Sequence, residues 1–172
     1  MSGTLQAFDA AAVPLALVSL GNEIRNGMLW PLGQADPTIA DDAARAANFS
    51  NLAMLYKSAR LGVDDAVATT NMQKPGVMIH IDNGWDLSLQ QSWFSALTGS
   101  GTVTVADWDV FGFSFYPFYG TNATLNNLNN SLQTLAAQYQ KPLQVVETDW
   151  PEACTGSDAP ALSEPSIPIS AV

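Results

Sequence analysis

Four short apolar runs, at residues 15–21, 77–82, 110–116 and 143–148, alternate with longer stretches of helical periodicity. This is the pattern of βα units feeding a parallel sheet, since parallel neighbours need a crossover to bring the chain back to the same end. One helix is expected from about Asp41 to Arg60, with Ala44, Leu52, Leu55 and Tyr56 turned inward, and another around Leu87 to Leu97. A third is expected from Thr124 to Tyr139. There Leu125, Leu128, Leu132 and Leu135 recur at helical spacing and Pro142 ends the run. A short helical fragment over Gly3 to Phe8 precedes the first strand. Four βα units make half of an eight-stranded barrel. Past Trp150 the periodicity is lost and proline and serine accumulate. Residues 1–150 therefore read as one α/β unit, and 151–172 as an exposed, poorly ordered loop after the fourth strand.

Composition narrows the partners. Of 172 residues, 47% are hydrophobic and 13% charged, which suits a globular core rather than a disordered acidic segment. Sixteen acids against six bases leave a net charge of −10. Arg25, Arg45, Lys57, Arg60, Lys74 and Lys141 are scattered, so the chain offers no basic patch for nucleic acid or anionic lipid. No apolar run approaches the ~20 residues needed to span a bilayer. The N-terminal residues lack the basic and apolar regions of a secretion signal. The sequons at Asn48, Asn122 and Asn129 nonetheless favour a secretory protein. With one cysteine, Cys154, and one histidine, His80, neither residue type can build a metal site by itself.

Strand alternation sorts the side chains. It places Leu17, Ser19, Gly21 and Glu23 on one face of the first strand, and Met78, His80 and Asp82 on one face of the second. Gly112, Ser114 and Tyr116 oppose Phe111, Phe113 and Phe115 in the third, and Leu143, Val145 and Glu147 line up in the fourth. Each strand thus carries a polar group at its C-terminal tip, the end at which barrel enzymes build their sites. A single Glu there is more often solvated or ion-paired than catalytic, and a lone His is more often structural. Two carboxylates delivered by different strands are what acid/base or nucleophilic work on an acetal requires. Trp30, Trp85 and Trp150 follow strand ends, where indoles either pack the core or stack on a sugar face. Trp93 and Trp108 read as packing residues.

The residues carry a resemblance as well. Val18-Ser-Leu-Gly-Asn-Glu-Ile-Arg-Asn-Gly-Met-Leu-Trp-Pro-Leu-Gly33 resembles the acid/base segment of family 53 glycoside hydrolases, the arabinogalactan endo-β-1,4-galactanases. Met78-Ile-His-Ile-Asp-Asn-Gly-Trp-Asp86, Phe111-Gly-Phe-Ser-Phe-Tyr-Pro-Phe-Tyr119 and Val145-Val-Glu-Thr-Asp-Trp-Pro151 resemble that family's following strands, in order. The resemblance implies a partial (β/α)8 barrel, about strands four to seven with their helices. It implies Glu23 as general acid/base and Glu147 as nucleophile. Asn22 would bind the sugar 2-hydroxyl and Tyr116 would hydrogen-bond Glu147. His80, Asp82, Asn83, Trp30 and Trp150 would line the substrate cleft. The implied reaction is retaining hydrolysis of β-1,4-galactan in plant cell-wall arabinogalactan by a secreted enzyme, with no metal or organic cofactor.

Departures from the family pattern are also legible. Strands expected before the Asn-Glu pair and after the Glu147 block are not in this sequence, and a cysteine that would pair with Cys154 is missing, so a fragment is expected, either inactive alone or active only by self-association of two halves. Asp149 stands where fungal relatives usually carry Asn. Two rival readings are a related hydrolase acting on a β-linked mannan or glucan, and a non-catalytic carbohydrate-binding remnant. Arg25-Asn-Gly-Met-Leu-Trp-Pro argues against the first, and retention of both Glu23 and Glu147 against the second.

Overall fold

A computed structural model of the chain describes residues 1–149. Trp150, Cys154 and the loop expected over 151–172 lie outside the described residues. Helix α1 (Ser2–Ala10) leads into strand β1 (Leu17–Ser19), followed by a small antiparallel hairpin of β2 (Gly27–Met28) and β3 (Gly33–Gln34). Helices α2 (Asp42–Asn48) and α3 (Ser50–Thr69) precede β4 (Gly76–Ile81), and α4 (Leu87–Thr98) precedes β5 (Val110–Phe115). Helix α5 (Leu125–Tyr139) and β6 (Leu143–Thr148) complete the order. Strands β1, β4, β5 and β6 form one sheet in that order, every pair parallel. The expected half barrel of alternating strands and helices is therefore present.

Residues paired across a parallel ladder share a face, and the pairing explains the core. Val18 with Val77, Ile79 with Phe111 and Ile81 with Phe113 point toward the helices. There they meet Leu52, Tyr56 and Val63 of α3, Trp93, Phe94 and Leu97 of α4, and Leu135 of α5, all at 2% exposure or less. Trp93 and Trp108 are buried, as expected. Trp85 is half-buried against Phe115, Ala123 and Leu128, so it packs under the loop after β5. Asp41, Asp86 and Thr124 each accept a backbone N–H of the first helical turn with their side chains, which fixes where α2, α4 and α5 begin.

Four local expectations are corrected. The helix expected over residues 41–60 is two helices separated at Phe49, and the second runs on to Thr69. Phe49 is fully buried against Trp93, while Asn48 turns its side chain to accept the Asp36 N–H at 2.7 Å. In α2, Ala44 faces solvent and Arg45 is buried instead. Strict alternation also fails in β6, where Phe113 pairs with Val145 but Ser114 pairs with Glu147. This bulge skips Val146. It leaves Leu143 and Val145 on the phenylalanine face and turns Glu147 to the opposite face, beside Ser114. Finally, β1 ends at Ser19 and β4 at Ile81, so Glu23 and Asp82 are placed by turns and not by strand pleating.

One of those turns leaves no room for a side chain. A Cβ added to Gly84 would stand 2.7 Å from the Cβ of Phe113, a fully buried residue. Gly84→Ala is expected to destabilise the fold by about 1–3 kcal/mol through overpacking. Chemical denaturation of both proteins checks this, and equal midpoints would contradict it.

Candidate active site

The open end of the sheet gathers the polar tips. Gly21, with φ of 98°, turns the chain out of β1. Glu23 follows in a left-handed conformation (φ 46°, ψ 51°) that opens a short 3-10 turn over Ile24–Asn26. A non-glycine residue in that region is held at a cost of about 1–3 kcal/mol, so its surroundings must over-determine it. Across the sheet, the β6 bulge aims Glu147 at the same space. His80 rises from β4 between them. One side-chain ligand atom from each of Glu23, His80 and Glu147 lies within 4.8 Å of the other two. The Tyr116 hydroxyl stands 3.3 Å from Glu147 Oε2 and donates to it. His80 Nε2 is 2.9 Å from Ser114 Oγ in the buried floor.

Two adjoining cavities share Glu147. One of about 570 Å³ is lined by Glu23, Arg25, Asp82, Asn83, Tyr116 and Glu147, with Ser114, Phe118, Tyr119 and Asp149. The other, of about 540 Å³, is lined by Asn22, His80 and Glu147 with Ser19, Gly21, Met78 and Val146. Of the residues singled out in the sequence, Asn22, Glu23, His80, Asp82, Asn83, Tyr116 and Glu147 therefore converge. Trp30 does not line either cavity. It sits on the β2–β3 hairpin, 59% exposed, with its indole N–H donating to the Asn26 carbonyl at 2.9 Å.

Electrostatics follow from burial and from the carboxylates. Burial pushes His80 below the ordinary imidazole range, although the Glu147 and Glu23 carboxylates both pull it back up. Burial therefore favours the neutral form of the ring. Burial pushes the Asp82 carboxyl up; the Arg25 guanidinium, 3.0 Å away, opposes this and Glu23 adds to it. Tyr116 is pushed up as well, by desolvation and then by the Glu147 carboxylate it faces. Both effects favour the protonated hydroxyl that donates to Glu147. Two carboxylates and an imidazole are also a donor set that could hold a metal ion. Here His80 Nε2 is hydrogen-bonded with Ser114 and the Glu147 carboxylate accepts from Tyr116.

Chemically, a carboxylate pair with oxygens this close can attack an anomeric carbon from one side and deliver a proton to the leaving oxygen on the other. Comparison with known proteins decides the relationship. The model of glycosyl hydrolase family 53 matches residues 1–166. The chain belongs to glycosyl hydrolase family 53. A probable arabinogalactan endo-beta-1,4-galactanase A of Aspergillus fumigatus is 42% identical over 168 residues, covering 95% of this chain and 42% of its own length. The arabinogalactan endo-beta-1,4-galactanase of Thermothelomyces thermophilus is 41% identical over 164 residues, covering 93% of this chain and 44% of its own. A solved fungal beta-1,4-galactanase superposes with a TM-score of 0.76 at 37% identity, over 88% of this chain and 42% of that one. This family 53 chain thus spans less than half the length of the relatives it matches.

Sequence reasoning had not placed Arg25, Ser114, Phe118, Tyr119 or Asp149 in the cleft of this family 53 chain. Position was the available signal: Arg25 lies two residues beyond Glu23, and Phe118 and Tyr119 lie just beyond the tip of β5. The aromatic group is compact, with Tyr116 to Phe118 at 5.6 Å, Tyr116 to Tyr119 at 5.5 Å and Phe118 to Tyr119 at 4.7 Å between centroids. Among the described residues no helix is long and apolar enough to cross a membrane.

Proposed function

We propose that this chain carries the catalytic carboxyl pair of a secreted, retaining endo-β-1,4-galactanase acting on galactan of plant cell-wall arabinogalactan. The observation that supports it most is the proximity of Glu23 and Glu147, with one carboxylate oxygen of each within 4.8 Å of the other. Retaining glycosidases hold their carboxyls about 5–5.5 Å apart, whereas inverting ones separate them by about 6.5–9.5 Å to admit a water. Glu147 is the nucleophile. It attacks the anomeric carbon, forms a glycosyl ester and expels the leaving oxygen, which takes the proton of Glu23. Glu23 then removes a proton from water, the water oxygen bonds the anomeric carbon, and the ester breaks to return Glu147. Tyr116 holds the attacking carboxylate in line through the 3.3 Å contact. Asn22, His80, Asp82 and Asn83 bind the sugar at the reaction centre, and the exposed indole of Trp30 offers an apolar face for sugar beyond the two cavities.

Stereochemistry tests the mechanism independently of rate. Proton NMR of the first products released from β-1,4-galacto-oligosaccharides should show the β-anomer before mutarotation. Initial appearance of the α-anomer would sink the retaining assignment. A smaller effect belongs to the tyrosine. Tyr116→Phe is expected to lower kcat on galactan by about tenfold, the worth of one hydrogen bond to a charged group, with the fold intact. Unchanged kcat in steady-state assays would show that the contact does not act on Glu147.

A further inference from the structure

Helix α4 reaches both turns that carry cleft residues, and it does so from one face. Gln90 and Trp93, three residues apart, are both fully buried. The Gln90 Nε2 donates to the carbonyls of Asp82 and Asn83, each at 2.8 Å. Because both partners are carbonyl oxygens, the orientation of the amide is forced. The Trp93 indole N–H donates to the Arg25 carbonyl at 2.8 Å. The Arg25 guanidinium in turn forms an ion pair with the Asp82 carboxylate at 3.0 Å, which closes a loop of contacts between the two turns.

What these contacts hold is unusual backbone. Glu23 has φ of 46° and Asn83 has φ of 50°, both in the left-handed region. Neither turn lies within the parallel ladder, which ends at Ser19 in β1 and at Ile81 in β4. The left-handed turns are fixed by contacts outside that ladder, the Gly84 N–H donating to the Ser114 carbonyl at 2.9 Å in the second turn and the α4 side chains supplying the rest. From this geometry we infer that Gln90 and Trp93 are positioning residues. Trp93 fixes the turn that presents the acid/base Glu23, and Gln90 fixes the turn that presents Asp82 and Asn83 to the sugar.

The inference rests on the galactanase reading and divides the kinetic constants between two residues on one helix. Trp93→Phe keeps an aromatic ring against Phe49 and Phe94, at 5.7 and 5.1 Å, and removes only the indole donor. Gln90→Met keeps the length of the side chain and removes both donations. On β-1,4-galactan, Trp93→Phe is expected to lower kcat about tenfold with KM within about twofold, one buried hydrogen bond being worth about that much. Gln90→Met is expected to raise KM about tenfold with kcat within about twofold. Both constants unchanged in both folded variants would overturn the inference, and so would equal losses in kcat and KM in each. Amide hydrogen exchange supplies a readout that needs no turnover. Residues 23–26 should exchange at least about tenfold faster in Trp93→Phe, and residues 82–84 in Gln90→Met, each with the other turn unchanged. If the wild-type chain hydrolyses no galactan, the galactanase reading fails while exchange still decides the positioning roles. If Gln90→Met does not fold, Trp93→Phe decides alone: uniform exchange in its two turns would overturn the inference.

Discussion

Glu147→Ala is expected to lower hydrolysis of β-1,4-galactan by about 10⁴-fold or more, because the group that forms the covalent intermediate is gone. The fold should survive, since Glu147 is only half-buried at the open end of β6, where it accepts a hydrogen bond from the Tyr116 hydroxyl. Removing the carboxylate leaves a hole on the face of the sugar opposite the leaving group. A small anion such as azide can enter it and attack the anomeric carbon of an activated aryl β-galactoside, expelling the phenolate. The product is then the α-galactosyl azide, the inverted configuration. Recovery of that azide would identify Glu147 as the nucleophile. Full activity in the variant would remove it from the mechanism, and loss without rescue would leave only a supporting role.

Glu23→Ala is expected to lower turnover of galactan by about 10²- to 10⁴-fold, the usual worth of a general acid/base. Its signature differs in kind from that of Glu147. An aryl β-galactoside with a good leaving group needs no proton, so the first step should proceed at near the wild-type rate. The second step lacks its base, so the glycosyl-enzyme on Glu147 should accumulate and appear as a burst followed by slow turnover. Azide should then release the β-galactosyl azide, with retained configuration, and restore steady-state rate. Equal losses on galactan and on the activated substrate, measured by stopped-flow release of the phenolate, would contradict an acid/base role. Opposite azide products from the two variants would assign the two carboxyls without reference to any relative.

The strands and most helices were legible because their signals are local. The leucines at 125, 128, 132 and 135 match α5, and the four apolar runs match the four parallel strands to within a few residues. The failures are tertiary. Phe49 interrupts a stretch of good helix formers because its ring is wanted against Trp93, which no window of sequence around residue 49 reports. The bulge at Val146 is likewise invisible in a run of β-favouring residues, although it determines which face Glu147 takes. Both glutamates could be named from their flanking residues, yet neither reaches the cleft by plain strand alternation. Gln90 and Trp93 escaped notice as site-supporting residues for a related reason. Their partners are backbone carbonyls of distant turns, and a carbonyl leaves no trace in residue identity. Trp30 shows the reverse case, a residue singled out by its motif that lines neither described cavity.

Glu23 and Glu147 of this chain are proposed to hydrolyse β-1,4-galactan. The direct measurement is release of reducing ends by the purified chain from unbranched β-1,4-galactan, with β-mannan and β-glucan as comparison substrates and Glu147→Gln as the blank. Release is expected from galactan alone, vanishing in the blank. Release that persists in Glu147→Gln, or that favours mannan or glucan, would contradict it.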